Sequence, residues 1–369
     1  MKIESAEVVP LALPFREPYV TARGRLEERE MFLLRLRTDA GIEGLGEAVP
    51  LTLRGGGDPR RVERRLRRAA IRLARADVSD FEGEEPLRAA IDAVVHASAG
   101  RRLPSPAAAA IEMALFDLAA KAVREPLWHL LGADAGDPLR CNATLVAGSP
   151  DKVAAGAREW AELGFESFKL KLGIGEDLRQ VAAVREAVGA EARIRVDANA
   201  SWSRDDAIAV LRELEPLDVE LAEQPVASLR DMAAVADATS IAIAADESVT
   251  TSKEAARAVR SGACELATVK LAKVGGIGAA AGVAKHVPVY MSSALDGPLG
   301  IAAAAHAAEA IYRDSVDPGL AHGLATQLLF DDTYASRACE LRGGELHLPG
   351  APGLGVEVDE AALERLRRE

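Results

Sequence analysis

Cysteine is scarce in this chain of 369 residues: only Cys141, Cys264 and Cys339, far apart and outside any CxxC pattern. Neither a disulfide framework nor a zinc site is expected, and buried free thiols in a reducing cytoplasm are the reading that follows. Positive charge is also in deficit. A formal net charge of −12 argues against nucleic acid as a partner, and the arginine run over 59–75 reads as the solvated face of a helix. The opening Met1-Lys2-Ile3-Glu4-Ser5 lacks the apolar core of a leader. No stretch escapes charge for the length of a membrane span, since Ala-rich 299–311 is broken by His306 and Glu309. A phosphate loop is missing too, because no Lys-Ser/Thr follows Gly55-Gly56-Gly57, which reads as a mobile loop beside Arg54. His96, His286, His306 and His347 show no ligand spacing and are assigned to structure.

What is present is an apolar content of 49% and a length that asks for two domains or one large barrel with an addition. Residues 2–13, 31–37 and 42–48 read as an antiparallel meander. Helices are expected over 58–77, 84–99 and 106–123, the last with Ser105 as its N-cap. The first 130 residues thus look like an α+β domain. From Cys141 the rhythm changes to alternating strands and helices, with strands at 142–146, 167–172, 193–198, 219–223, 241–246, 266–271, 287–293 and 315–322. Gly132, Gly164 and Gly262 follow helices as C-terminal stops. Alternation implies a parallel sheet, and eight units imply a closed barrel. The tail from 333 carries a strand near 345–348 and a short helix over 359–368, and is expected to return to the first domain.

Charged groups recur where the apolar runs end. Lys169-Leu170-Lys171, Asp197-Ala198-Asn199, Glu223-Gln224-Pro225, Asp246-Glu247-Ser248 and Lys270 succeed one another at intervals of 23 to 26 residues. That is the length of a strand, a helix and two short loops, and a parallel barrel gathers such groups at one rim. Asp197, Glu223 and Asp246, on three neighbouring strands, repel one another unless a cation neutralises them. With hard oxygens and no Cys or His, the set favours Mg²⁺ with open positions for water or substrate. The alternative for any one carboxylate is a helix cap or an arginine partner.

Lys169 and Lys171 share the inward face of their strand, while Phe168, Leu170 and Leu172 face the helices. Side by side, the two ammonium groups are expected to lower each other's pKa, which suits Lys171 to act as a general base near neutral pH. Lys270 lies across the barrel as an opposing acid, base or electrostatic partner. The expected step is removal by Lys171 of the proton α to a substrate carboxylate, with the metal stabilising the resulting enediolate. Two rivals of other classes are a Schiff-base aldolase built on Lys171 or Lys270, which needs no metal trio, and a non-catalytic barrel that binds metal for stability.

These motifs, together with Ala110-Ile111-Glu112-Met113-Ala114-Leu115-Phe116-Asp117-Leu118 and Val269-Lys270-Leu271-Ala272-Lys273-Val274-Gly275-Gly276, resemble the enolase superfamily and its muconate-lactonizing subgroup along nearly the whole chain. The resemblance implies an α/β fold: a modified TIM (β/α) barrel over 131–332 under an α+β capping domain, residues 1–130 completed by 333–369. It implies Asp197, Glu223 and Asp246 as Mg²⁺ ligands, with Mn²⁺ as a substitute. It further implies Lys171 as base, Lys169 as its tuner and Lys270 opposite. Arg23, Asn199, Ser292, Ser293 and Asp296 are assigned to the substrate, and His322 is a further candidate contact. Ser292 and Ser293 have a competing reading as the N-cap of the following helix, and Arg23 and Arg54 one as surface arginines. The segment Val289-Tyr290-Met291-Ser292-Ser293-Ala294-Leu295-Asp296 is similar to o-succinylbenzoate synthases. It makes dehydration to o-succinylbenzoate, a step toward menaquinone, the leading expectation. The alternatives are dipeptide epimerase, N-acylamino acid racemase and muconate cycloisomerase. Asp314 and Asp317 are the only acids near the place where dipeptide epimerases often carry an Asp-x-Asp pair. The implied partner is a small carboxylate, and the implied assembly a cytoplasmic homo-oligomer.

Overall fold

A computed structural model describes residues 1–54, 57–78, 87–99, 103–312 and 319–368. The first three strands, β1 (Ile3–Thr21), β2 (Gly24–Thr38) and β3 (Glu43–Ala48), form an antiparallel sheet in the order β1-β2-β3. The meander is as expected, but β1 runs further, bending at register shifts between Ile3 and Ser5 and between Pro14 and Tyr19. Three helices follow: α1 (Pro59–Leu73), α2 (Leu87–Ala99) and α3 (Ser105–Val123). Helix α1 turns Val62, Leu66 and Leu73 inward and leaves its arginines to solvent. Helix α3 is buried on nearly every side, as an Ala-rich helix clamped between two layers must be. Ser105 is its first helical residue rather than its cap; Pro104 holds the cap position, with no side-chain hydrogen bond.

Close approach joins α3 to the sheet. A Cβ at Gly44 would lie 2.3 Å from the Ala114 carbonyl oxygen, and one at Gly46 2.0 Å from that of Ala110. The two glycines therefore let β3 lie directly on the helix backbone. Asp117 of α3 then ties three segments: its carboxylate accepts the N–H of Leu45 at 2.9 Å, the N–H of Leu354 at 2.8 Å and Lys121 Nζ at 2.7 Å.

After α4 (Leu127–Leu130) and the short β4 (Leu139–Arg140), the parallel sheet begins. Its strands are β5 (Asn142–Leu145), β6 (Ser167–Lys171), β7 (Arg193–Asp197), β8 (Val219–Glu223), β9 (Ala242–Ala245), β10 (Leu266–Val269) and β11 (Val289–Met291), paired in that order. The intervening helices are α5 (Pro150–Glu162), α6 (Asp177–Val188), α7 (Arg204–Leu214), α8 (Leu229–Ala236), α9 (Ser252–Arg260), α10 (Leu271–Val274) and α11 (Ile277–Ala284), with α12 (Pro298–Tyr312) after β11. Gly132, Gly164 and Gly262 have φ of +94°, +90° and +65°, the left-handed stop that ends a helix.

The eighth strand differs from expectation. Residues 313–318 lie outside the described residues, and closure is made by two parallel bridges, Cys141 with His322 and Ser292 with Gly323. Inside the ring a small apolar plug of Leu221, Ala244, Tyr290 and Leu320 is separate from the larger core between strands and helices. The fold is thus a modified TIM barrel accompanied by an α+β cap.

In the tail, β12 (Ala335–Arg337) pairs with β15 (Glu357–Val358), and the hairpin of β13 (Glu340–Arg342) and β14 (Glu345–His347) pairs with β4. Helix α13 (Glu360–Leu366) packs on β1. No helix among the described residues is long and apolar enough to cross a membrane.

Candidate active site at the barrel rim

Strand register builds the site. Lys171 pairs with Asp197, and Asp197 with Glu223, so these three share one rung at the C-terminal ends of β6, β7 and β8. Glu223 pairs with Ala244, and Asp246 follows two residues on, facing the same side. By the same two-residue step Lys270 lies above Thr268 and Ser292 above Tyr290, a pair joined across β10 and β11. One rung lower, Lys169 pairs with Arg195. The inward side chains form two layers, as in other parallel barrels. The turns that leave these strands are strained: Asn199, Ala200 and Gln224 have φ of +48°, +59° and +39°, unusual for residues with side chains. Gln224 also pins the neighbouring turn, its Oε1 accepting the N–H of Asp246 at 2.9 Å and of Ser248 at 3.1 Å.

The three carboxylates and the lysines are buried and interlocked. Lys169 Nζ donates to Glu223 Oε2 at 2.6 Å and lies 2.9 Å from Asp197 Oδ2. Lys171 Nζ reaches Asp197 Oδ2 at 2.6 Å, and Lys270 Nζ reaches Asp246 Oδ2 at 2.5 Å. Lys273, to which sequence reasoning gave no role, donates to Asp246 Oδ1 at 2.9 Å and to the carbonyls of Asp246 and Thr268 at 2.7 Å. Each expected residue of the lysine and carboxylate sets is therefore at the rim.

The electrostatics correct one expectation. Burial alone lowers the pKa of Lys169 and Lys171, but the attraction of Asp197, joined at Lys169 by Glu223, outweighs it. Lys169 is held well above its ordinary value and Lys171 is raised. Mutual repulsion of the two ammonium groups is the smaller effect here. Asp197 is driven below the usual carboxylate range because three lysines oppose the cost of its burial. Glu223 moves upward through burial and the charge of Asp197. The opposite directions reflect competition for the same ammonium groups, of which Asp197 has the larger share.

Among the described residues no three acidic, His or Cys side chains converge as a ready-made cation cage, since ammonium groups stand between the carboxylates. The donors nonetheless suit a hard divalent cation. All three are fully buried, all are oxygens, and Glu223 Oε1 has no hydrogen-bond partner.

Above the rim opens a cavity of about 650 Å³, partly continuous with solvent. Lys169, Lys171 and Asn199 line one wall, Lys270, Ser292 and Ser293 another, and Tyr19, Thr21, Arg23, Arg29 and Leu51 close it from the antiparallel sheet and its loop. Arg23 Nε donates to the Asn199 carbonyl at 2.9 Å, and Asn199 Oδ1 lies 3.4 Å from Lys171 Nζ. Ser293 Oγ accepts the N–H of Asp296 at 2.7 Å, a turn ahead of α12, which begins at Pro298, so this bond closes the turn and does not cap the helix.

Two candidates are turned elsewhere. Asp296 is outside the cavity lining; its carboxylate accepts the N–H of Ala294 at 3.0 Å and faces Glu47 and Arg29. His322 is buried at the barrel seam, where Nδ1 accepts the N–H of Met291 at 3.1 Å, and burial beside Arg195 lowers its pKa to about 3. The side chain of Arg54, Gly55, Gly56 and the Asp314/Asp317 pair lie outside the described residues. Sequence reasoning gave no individual role to Tyr19, Thr21 or Arg29, although the segment 18–24, which holds the first two, resembles the family's capping loops.

The chain matches the mandelate racemase / muconate lactonizing enzyme N-terminal domain over residues 3–132 and the enolase C-terminal domain-like family over residues 152–362. It is 31% identical to the L-Ala-D/L-Glu epimerase of Bacillus subtilis, over 96% of this chain and 97% of that one. Identity to the N-succinyl-L-Arg/Lys racemase of Bacillus cereus is 27%, over 99% and 98%. Among solved structures, the muconate lactonizing enzyme of Pseudomonas fluorescens with muconolactone superposes with a TM-score of 0.90 at 30% identity, covering 100% and 99% of the two chains. The dipeptide epimerase of Cytophaga hutchinsonii, complexed with Mg and D-Ala-L-Val, gives 0.89 at 27%, covering 99% and 98%. The chain belongs to the mandelate racemase / muconate lactonizing enzyme family of the enolase superfamily, in its muconate-lactonizing subgroup.

Proposed function

We propose that this enzyme is a Mg²⁺-dependent isomerase that moves the proton α to a carboxylate, and that its substrate is an N-acylated amino acid whose acyl group carries a second negative charge. The observation that carries this reading is the charge of the cavity wall. Lys169, Lys171, Lys270, Arg23 and Arg29 line it, and no acidic side chain among the described residues does. Those side chains suit a dianion, and the lining offers no carboxylate to pair the free ammonium of a dipeptide.

Asp197, Glu223 and Asp246 would hold the cation, which supplies Lewis-acid polarisation of the substrate carboxylate. With Asp197 engaged by the cation, Lys171 would lose the attraction that keeps it charged; as the neutral amine it takes the α-proton from one face, while Lys270, as the ammonium on the opposite wall, gives a proton to the other, which inverts the centre. Lys169 keeps positive charge beside Asp197 and Glu223. Arg23 pairs with the distal carboxylate from the capping side. Asn199 sits beside Lys171 and holds its ammonium in place, and Ser292 and Ser293 offer hydroxyls to the substrate.

The o-succinylbenzoate reading gives way. The relatives described above are epimerases, racemases and cycloisomerases, and Asp296, part of the segment that suggested the dehydration, faces Glu47 and Arg29 instead of the cavity. A second reading, cycloisomerisation of a muconate-like dicarboxylate, is also favoured by the cationic wall and needs only one of the two lysines. Incubation with Mg²⁺ in deuterium oxide decides: deuterium at Cα of an N-succinylamino acid, with loss of optical rotation, supports racemisation. No exchange there, together with loss of muconate absorbance, overturns it in favour of cycloisomerisation, and exchange confined to dipeptides overturns the assignment of the blocked amine.

A further inference from the structure

We propose that Tyr290 is a positioning residue that fixes how Glu223 is presented at the rim and thereby sets the affinity of the carboxylate trio for Mg²⁺; this rests on the metal-site reading above. The Tyr290 hydroxyl, fully buried on β11, donates to Glu223 Oε2 at 2.5 Å across the barrel interior. Thr268 Oγ1 on β10 donates to the same phenol oxygen at 2.7 Å. With that oxygen already accepting from Thr268, the single phenol proton is directed at Glu223. The ring is held in turn: the Arg195 guanidinium carbon lies 5.1 Å from its centroid, and Leu221 and Ala244 pack against it.

Lys169 Nζ is the second donor on Oε2, at 2.6 Å. Two donors thus converge on one oxygen of Glu223, while Oε1 has no hydrogen-bond partner and lies 3.7 Å from Lys270 Nζ at the rim. The terminal torsion of a carboxylate is broad, so an unclamped Glu223 would swing its plane and lose the presentation of one oxygen toward the rim. Tyr290 removes that freedom, keeping Oε2 on the floor and Oε1 available as a donor. Outer partners of metal ligands are worth roughly 10- to 100-fold in metal affinity. A purely structural Tyr290, present only to satisfy buried polar groups, would affect stability and leave affinity alone.

The test is calorimetric titration of Mg²⁺ into the metal-stripped full chain, for wild type, Tyr290→Phe, Thr268→Val and Asp246→Asn, alongside thermal unfolding without metal. We expect Tyr290→Phe to bind Mg²⁺ about 10-fold more weakly or worse, and Thr268→Val, which does not touch Glu223, to weaken binding less but in the same direction. Equal affinity of Tyr290→Phe and wild type overturns the role of Tyr290. Should Tyr290→Phe not fold, Thr268→Val decides alone, and wild-type affinity in that variant overturns the proposal. A wild type that binds no Mg²⁺, or binds it unchanged after Asp246→Asn, sinks the metal-site reading and this role with it.

Discussion

The phenol of Tyr334, in the tail, donates to the buried carboxylate of Glu47 at the end of the antiparallel sheet. Glu47 also accepts the N–H of Gly297 at 2.7 Å, so one carboxylate joins the sheet, the tail and the loop that leads from Ser292 and Ser293 into α12. Burial, reinforced by the charge of Asp296, pushes its pKa up to about 8.

A pH dependence follows from this. The folded-state pKa of Glu47 lies above its unfolded value, so the unfolded chain binds fewer protons across the interval between them. The contribution of Glu47 to stability is greatest below the ordinary carboxylate range and falls as pH climbs from there through about 8, by roughly 1.4 kcal/mol per pH unit as an upper bound. Glu112, pushed up to about 7 mainly by burial, acts in the same direction. Denaturant unfolding of wild type and Glu47→Gln between about pH 5.5 and 8.5 checks it. The variant's curve is expected to be flatter, and parallel curves would remove Glu47 as the cause.

Lys171 and Lys270 stand on opposite walls of one cavity, which separates their roles experimentally. Lys171→Ala and Lys270→Ala are each expected to lose isomerisation by a factor of about 10² to 10⁴. The remaining lysine still addresses the antipode whose α-proton faces it. Solvent deuterium should therefore enter one enantiomer in Lys171→Ala and the other in Lys270→Ala. The same enantiomer exchanging in both variants would mean that the two lysines do not act from opposite faces.

Arg23 reaches the cavity from the turn between β1 and β2, anchored through Nε to the carbonyl of Asn199. Arg23→Gln is expected to raise KM for a substrate with a distal carboxylate by about 10- to 100-fold, the worth of a hydrogen bond to a charged group. The kcat should move little, and an analogue with a neutral acyl group should be nearly indifferent. A fall in kcat for both substrates at unchanged KM would place Arg23 with the chemistry instead of with the distal anion.

How far these groups were legible in the sequence depends on how local their causes are. Lys171, Asp197 and Glu223 end strands, and strand register is set by short apolar runs that the sequence displays. Tyr290 and Thr268 gave no such signal, since an inward aromatic or Thr reads as core until its partner across the barrel is known. Asp296 sits beside Ser292 and Ser293 in the chain, but its carboxylate turns back onto the N–H of Ala294 and lies outside the cavity lining, a direction that neighbourhood in sequence does not reveal. The lysine pKa direction was missed for the same reason: the repulsion between Lys169 and Lys171 is written in one strand, while the carboxylates that outweigh it come from two others. The eighth strand was obscured because, among the described residues, its closure rests on two isolated bridges, at His322 and Gly323.

Asp117 is the corresponding clamp away from the chemistry. It is 1% exposed, and its carboxylate accepts from Leu45 N–H, Leu354 N–H and Lys121 Nζ. Burial raises its pKa, with Lys121 opposing the shift. Asp117→Ala strands two backbone donors and takes from the Lys121 ammonium its carboxylate, leaving it the Glu43 carbonyl at 2.9 Å. Breaking a buried, hydrogen-bonded ion pair by removing one partner costs about 3–5 kcal/mol, and nothing in the variant replaces the lost acceptors. Asp117→Asn, which keeps one acceptor, is expected to cost less. Equilibrium urea unfolding of the three proteins at neutral pH measures both, and a loss below about 1 kcal/mol for Asp117→Ala would show that water or a shifted Lys121 takes over the bonds. Since Asp117 lies outside the cavity, KM at a temperature where the variant remains folded should equal that of the wild type. A changed KM would mean that the seating of β3 on α3 also shapes the capping side of the active site.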